Sequence, residues 1–373
     1  MITSPSALLA RLAGDWLLLF LLAVFPLAFW FAPVAGDDLP GLVDWKTVAA
    51  LAGLMVLSRG LELCGLIDRL GRWVLMRLRS LRGLALALVL FAALLSAVVT
   101  IDVALFVTVP LTLALARLVV LPVGRLVIFQ ALAVNAGSAG SPVGNPQNLF
   151  LWQASGMGFW QFTLELLPIA GLMLALVLAL VPLGFRREAL ALPEAGTSRA
   201  LDRGLMVLSL AAYPLFLWAV NAGFALAGAG TIMALFALAF RRVLLGISWA
   251  LLLVFVLMFI NLGLLGQVPV VAALIGGHLQ GAGAAYLLGA GLSQVMSNVP
   301  AAIFLAGFTE DWRALSWGVN VGGFGLAIGS LANLIALRLA PAPGLWRAFH
   351  LWSVPVFLAS LAAGWLLLDL MAP

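Results

Sequence analysis

From Asp15 to Met371 the chain is a succession of continuous apolar runs separated by short polar breaks. A run of about 20 apolar residues is what carries a helix across the hydrocarbon core of a bilayer. No water is present there to satisfy backbone N–H and C=O groups, so only helices and closed barrels survive. Barrel strands would alternate between apolar and polar in segments of about ten residues. These runs do not alternate, so helices are expected. Composition agrees, with 65% hydrophobic and 9% charged residues. Soluble domains carry about 45–50% and about 25%. A chain like this has too few charges to cover a surface facing water and too much apolar sequence for disorder. The expected fold class is an all-α polytopic membrane protein, with the lipid bilayer as its surroundings.

Charge excludes some functions. The net charge of +5 does not point to nucleic acid, because the arginines cluster at the ends of apolar runs. There they mark the cytoplasmic side. One cysteine, Cys64, excludes an internal disulfide framework or a cysteine metal cluster. Two distant histidines, His278 and His350, and the lack of an HExxH spacing leave no metal site to expect. Residues 15–33 form an apolar run longer than a signal-peptide core and read as a retained first span.

Arginine positions orient the runs, with the N-terminus cytoplasmic. A span over about 15–34 leads to an acidic outer loop with Asp37, Asp38 and Asp44. A second span, about 45–66, returns to a basic amphipathic stretch with Arg69, Arg72, Arg77, Arg79 and Arg82, expected to lie on the inner interface. Residues 83–116 are apolar and bounded by Arg82 and Arg117, so both ends face the cytoplasm. Two full crossings and a turn need about 40 residues, and only 34 are present. A re-entrant hairpin fits better than two tilted short spans. Residues 126–153 are apolar at both ends, but Gly137, Gly140, Gly144, Pro142 and Pro146 interrupt the centre, so a broken helix is expected. A span at about 162–184 reaches a basic inner loop at 185–203, and a single span at 204–221 links to the second half. Spans at about 223–240 and 243–264 follow, then an interfacial stretch at 268–280. A second hairpin at 282–308, a second broken helix at 313–340 and a last span at 348–370 complete the chain. The expected architecture has about nine spans, two hairpins and two broken helices.

The two halves repeat. Asn135, Gly137, Gly140, Gly144 and Asn148 recur as Asn320, Gly322, Gly325, Gly329 and Asn333, all at an offset of 185. Leu95, Ser96, Val98 and Thr100 recur as Leu292, Ser293, Val295 and Ser297 at an offset of 197. Glycines alone would be weak evidence with 38 in the chain, but the paired asparagines are not explained by glycine frequency. Helix packing explains Gly-x-x-x-Gly spacings. It does not explain the Asn and Ser within them. Residues 1–203 and 222–373 form two repeats, inverted by the span at 204–221, the pattern of a secondary transporter.

Irregular backbone at membrane depth must be buried in protein or line a cavity. The candidate substrate and ion site is therefore Ser96, Thr100, Asp102, Asn135, Gly137, Ser138, Ser141, Gly144, Asn145 and Asn148 from the first repeat. The second contributes Ser293, Ser297, Asn298, Asn320, Gly322, Gly323, Gly329, Ser330 and Asn333. Asn145-Pro146 is a helix start, with Asn as cap and Pro at the first position, and Asn298-Val-Pro300 reads similarly. Half-helix N-termini offer N–H groups to an anion, while unwound carbonyls and Asn, Ser and Thr oxygens suit sodium. No Lys or Arg falls in these windows, so an anion would be held by dipoles, hydroxyls and amides. Asp102 is a carboxylate at mid-membrane, able to bind a cation, carry a proton or cap the second limb of its hairpin. Glu62, Glu165 and the tryptophans near span ends read as structural.

The run Asn-Ala-Gly-Ser-Ala-Gly-Ser-Pro-Val-Gly-Asn-Pro-Gln-Asn at 135–148 resembles the motif of the ion transporter superfamily. That group holds arsenite-pump-like permeases, NhaD-type sodium/proton antiporters, citrate-transporter-like proteins and divalent anion/sodium symporters. Chain length and the Gly-Asn-Pro-Gln-Asn run are most similar to the arsenite-pump and citrate-transporter-like branch. In the dicarboxylate branch both hairpin tips carry Ser-Asn-Thr. Here the second tip has Ser297-Asn298-Val299 and the first has Thr100-Ile101-Asp102, which puts a symmetric two-sodium dicarboxylate site in doubt. The resemblance implies a homodimer and an elevator-type movement. The expected function is a secondary active transporter of a small anion or oxyanion in the cytoplasmic (inner) membrane, with sodium or protons as coupling ion and no other cofactor. A sodium/proton antiporter or an arsenite-type efflux permease is the alternative. A channel would build its pore from several subunits, and no catalytic motif or ATP-binding loop stands out to suggest an enzyme or pump.

Overall fold

The computed structural model describes residues 16–371 other than 33, 35, 68, 70–77, 117–118, 191–199 and 341. The N-terminal orientation, the basic stretch at Arg72 and Arg77 and the loop around Arg199 lie outside the described residues. The described residues are almost entirely helical. In order they form α1 (Trp16–Phe31), α2 (Trp45–Leu63), α3 (Leu81–Val98), α4 (Ile101–Ala116), α5 (Val123–Ser138) and α6 (Pro146–Ser155). Next come α7 (Phe159–Gly184), α8 (Arg203–Asn221), α9 (Ala225–Ala239), the short α10 (Arg241–Leu244), α11 (Trp249–Gln267) and α12 (Pro269–His278). The chain ends with α13 (Gly281–Met296), α14 (Asn298–Ala306), α15 (Trp312–Val321), α16 (Leu331–Leu339) and α17 (Leu345–Leu370).

Polar residues set the helix starts. Asp44, Ser80, Asp202, Ser248 and Asp311 each cap the helix that follows by accepting from backbone N–H groups of its first turn. The Leu205 N–H and the Arg242 guanidinium also hold the Asp202 carboxyl below the usual carboxylate range. Five described helices, α3, α7, α8, α11 and α17, are individually long and apolar enough to cross a bilayer. Of the others, α1 and α9 have 16 and 15 residues, and α2 carries Lys46, Arg59 and Glu62 within its 19. Helix α12 buries no residue, in keeping with an interfacial position.

Both helix pairs expected as hairpins pack as pairs, although α3 alone is also long enough to cross. Helices α3 and α4 pack together around a break at Val99-Thr100, with limbs of about 27 and 24 Å. The second pair, α13 and α14, is unequal: 16 and 9 residues, or about 24 and 14 Å. Both helices expected to break do so. Residues 139–145 separate α5 from α6, and 322–330 separate α15 from α16, with a single 3-10 turn at Ala327–Gly329.

The two hairpin and broken-helix units interlock. Helix α16 packs on α4 and α5, while α6 packs on α14 and α15. Around them, α7 and α17 touch each other and both broken helices. A second group, α2 with α8 and α9 and α1 with α11, meets this body through α2 against α4 and α6 and α11 against α14. Close approach of α5 to α3 requires glycine at 137, where a Cβ would overlap the Ala93 backbone.

Some charges do more than mark topology. Arg82 donates to the carbonyls of Phe185 (2.9 Å) and Pro182 (3.2 Å), and Arg125 to that of Gly184 (2.6 Å). Two guanidinium groups thus satisfy the otherwise unpaired C-terminal carbonyls of α7. Glu165 pairs with Arg313, and Trp317 Nε1 donates to the Glu165 carbonyl (2.8 Å), joining α7 to α15.

Candidate substrate and ion site

The first break is held by its own residues. Asn145 caps α6, accepting from the Asn148 N–H (2.9 Å), with Pro146 at the first helical position, as the sequence predicts. The Asn148 amide donates to the carbonyls of Ser138 (3.3 Å), Ala139 (3.3 Å) and Ser141 (3.1 Å). Ser141 Oγ accepts from the Val143 N–H (3.3 Å). The tip of the first hairpin joins this break through Ile101 N–H donating to the Gly144 carbonyl (3.0 Å). Gly144 has room for no side chain: a Cβ would come within 2.7 Å of the Ser138 Cα and the Ser96 carbonyl.

The second break is held from outside. Three successive backbone donors are each taken by a side chain of another helix. Gly325 N–H donates to Ser353 Oγ (3.0 Å), Leu326 N–H to Gln294 Oε1 (2.8 Å) and Ala327 N–H to His350 Nε2 (3.2 Å). Gln294 Nε2 donates to the Gly322 carbonyl (2.7 Å), so one side chain spans the break. Ser330 caps α16, accepting from Ala332 N–H (3.3 Å). Gly329 lies against the Gly322 and Phe324 carbonyls.

The asparagines cross between the halves. Asn135 Nδ2 donates to Asn333 Oδ1 (2.9 Å), and Asn320 Nδ2 donates to Asn148 Oδ1 (2.7 Å). Each donor amide also bonds back to the carbonyl four residues earlier, Ala131 (2.9 Å) and Ser316 (2.7 Å). The 185-residue offset exchanges one crossed pair for the other. Asn145 adds a third link by donating to Asn320 Oδ1 (3.1 Å) and to Ser138 Oγ (3.1 Å). Asn333 Nδ2 donates to the Gly323 carbonyl (2.9 Å), as Asn148 does to that of Ser138. All these side chains are buried. Buried amides must be bonded, and these are bonded largely to one another.

The hairpin serines behave differently from the asparagines. Ser96 Oγ bonds to the carbonyls of Ala93 (2.9 Å) and Val134 (3.0 Å), and Ser293 Oγ to that of Gly289 (2.7 Å), closing helix backbone. The Ser293 side chain also fills the space a Cβ on Gly322 would need. At the second tip the helix start differs from the Asn298 cap read in the sequence. Helix α14 begins at Asn298, and its cap position is Ser297, with φ 75° and ψ 154°. That region is essentially glycine-only and costs about 1–3 kcal/mol. Asn298 is thereby freed from capping. Its Nδ2 and Asn135 Oδ1 lie over Gly323, where a Cβ would come within 3.2 and 2.8 Å of them. The second tip, the first broken helix and the second break thus meet at one point. Thr100 is buried at the first tip, and Asp102, in the first turn of α4, is partly buried. Each tip reaches the break of its own half, the first through Ile101 and Gly144 and the second through Asn298 and Gly323, where Asn135 of the first half also enters. Tyr213 of α8 donates its hydroxyl to the Val98 carbonyl beside the first tip.

Sequence reading missed Gln294, His350, Ser353 and Tyr213. Their signal is slight: polar residues within apolar runs. Gln294 has Ala97 at the matching place in the first repeat.

Comparison with known proteins gives consistent results. The family described as citrate transporter matches residues 7–311. The inner membrane protein YbiR of Escherichia coli is 44% identical over 362 residues, covering 96% of this chain and 97% of that protein. The silicon efflux transporter LSI3 of Oryza sativa is 31% identical over 164 residues, 44% of this chain and 33% of that one. Among solved structures, the YdaH transporter of Alcanivorax borkumensis superposes with a TM-score of 0.54 at 18% identity, covering 94% of this chain and 96% of that one. At that identity the likeness speaks for the fold.

Proposed function

Because the chain belongs to the citrate transporter family, and is a membrane transporter on that ground, we propose that it carries a small anion or oxyanion across the inner membrane by alternating access, driven by sodium or protons. The observation that carries this reading is the crossed asparagine set, which ties two broken helices of opposite halves into one buried polar centre beside the Asn298 tip. Among the candidate site residues only Asp102 is charged. A solute held here would meet amides, hydroxyls and backbone dipoles, which suit carboxylates and oxyanions without an ion pair. The two repeats, inverted about α8, would supply the two access states.

A sodium/proton antiporter is the second reading. It is favoured by Asp102, a partly buried carboxylate with no ion pair among the described residues. The silicon efflux name of one relative favours an efflux permease over an importer.

A thermal-shift screen of the purified protein separates these readings. Citrate, dicarboxylates, sulfate and arsenite are each added with and without sodium, at neutral and at acid pH. A ligand at about 100 times its Kd should stabilise by about 2.7 kcal/mol. Stabilisation by one solute class, strengthened by sodium or by acid, supports the transporter of anions or oxyanions. Stabilisation by sodium alone, with no solute effect, supports the antiporter and contradicts the first reading.

A further inference from the structure

We propose that His350 is a proton-controlled positioning residue that latches the second broken helix: neutral, it holds the unwound segment closed, and protonated, it releases it. The inference gives a control to the site of the proposed transporter and takes its meaning from that reading. Its test does not measure transport.

Hydrogen-bond logic fixes the state of the ring. A backbone N–H can only donate, so His350 Nε2, 3.2 Å from the Ala327 nitrogen, must present a lone pair. The Trp346 carbonyl can only accept, so Nδ1, 2.8 Å from it, must carry the hydrogen. One neutral tautomer satisfies both contacts. Adding a proton to Nε2 would set N–H against N–H and break the bond to Ala327. The proton and the closed latch therefore exclude each other.

Position makes the latch matter. Ala327 is the third of three successive donors, 325 to 327, held by Ser353, Gln294 and His350. Three residues later Ser330 starts the half-helix that carries Asn333, one end of a crossed pair. The first break has no such dependence, because its donors at 140, 141, 143 and 144 are bonded to Gly137, Ser138 and Ser141 of the same broken helix. Of the three latch side chains only His350 carries a group that can take up a proton.

No neighbouring charge substitutes for the proton. Helix α17 packs on α5, α7, α13, α15 and the 327–329 turn. These carry Arg125, bonded to Gly184, and Glu165 and Arg313, paired with each other. They also carry Tyr286, bonded to the Ser360 and Leu361 carbonyls. On α17 itself stand Arg347 and Asp369, and α16 ends with Arg338. None forms an ion pair with His350 among the described residues. Its ring neighbours are Trp346 and Phe349, with centroids at 5.4 and 5.5 Å. Arg338 and Arg347 place this end of α17 toward the cytoplasm, where a proton has access.

The test is hydrogen–deuterium exchange of the full-length protein in detergent at pH 8 and pH 5.5, with labelling times scaled for intrinsic exchange. In the native protein, peptides over 322–330 should exchange about tenfold faster at the lower pH. The first break, 139–145, should not change. His350→Gln, which can still accept from Ala327 but does not titrate, should abolish the pH dependence. His350→Ala should leave 322–330 fast at both pH values. An unchanged native 322–330 segment, an equal change at 139–145, or pH dependence that persists in His350→Gln would overturn the proposal. Failure of the transport reading would leave this exchange pattern intact, so the two can fail separately.

Discussion

Asn148→Ala should abolish transport and lower stability by about 2 kcal/mol. The side chain accepts from Asn320 across the two halves and donates to three carbonyls of its own break. Alanine removes all of these bonds. Asn320 keeps the Ser316 carbonyl, and the Ser138 and Ser141 carbonyls keep the N–H groups of Ser141 and Gly144. The cost is therefore about 1–3 kcal/mol for each group that finds no other partner. The effect on function should exceed the effect on stability, because the crossed bonds set the relative placement of the two breaks. Unfolding midpoints of Asn148→Ala, Asn320→Ala and the double variant separate the pair from its surroundings. A coupling of about 0.6 kcal/mol, and at most about 1.7 kcal/mol, is expected for a polar pair within a membrane protein. Strictly additive values would mean that the crossed bond does not join the halves. Asn333→Ala, its counterpart, should also abolish transport, with a smaller loss of stability because it donates to one carbonyl and not three, and a full-activity Asn333→Ala would contradict the two-fold arrangement.

Asp102→Asn should leave a folded protein that no longer accumulates solute against a gradient. The amide matches the carboxylate in shape but can neither carry a proton nor neutralise a cation at the first turn of α4. Solute exchange across proteoliposomes with equal ion concentrations should persist, while uphill uptake falls to background. Wild-type uphill rates in Asp102→Asn would remove Asp102 from coupling and leave it a structural residue in the first turn of α4.

The breaks and hairpins were legible because membrane depth makes exceptions conspicuous. Glycines, prolines and asparagines at 135–148 cannot continue a helix, and at that depth a non-helical backbone survives only inside protein or beside a cavity. The short paired helices between Arg82 and Arg117 were legible from the distance between those two residues. The Asn145-Pro146 cap is local chemistry, so it too could be read directly. What could not be read is partnership. The 185-residue offset says that Asn135 and Asn320 are equivalent, but not that each bonds to the other half's second asparagine. The external latch is asymmetric, with Ala97 where Gln294 would be, so a search for repeats passes over it. Ser297 takes the cap position from Asn298 through a φ of 75° that no propensity favours for serine.

The central claim is coupled, alternating-access transport, and flux in proteoliposomes tests it most directly. Radiolabelled citrate, sulfate and arsenite are offered to vesicles under an imposed sodium gradient, an imposed proton gradient, or neither. At least one solute should accumulate above its outside concentration only under an ion gradient, and an ionophore should collapse that accumulation. Equilibration at the same rate with and without gradients would contradict the account and indicate a channel.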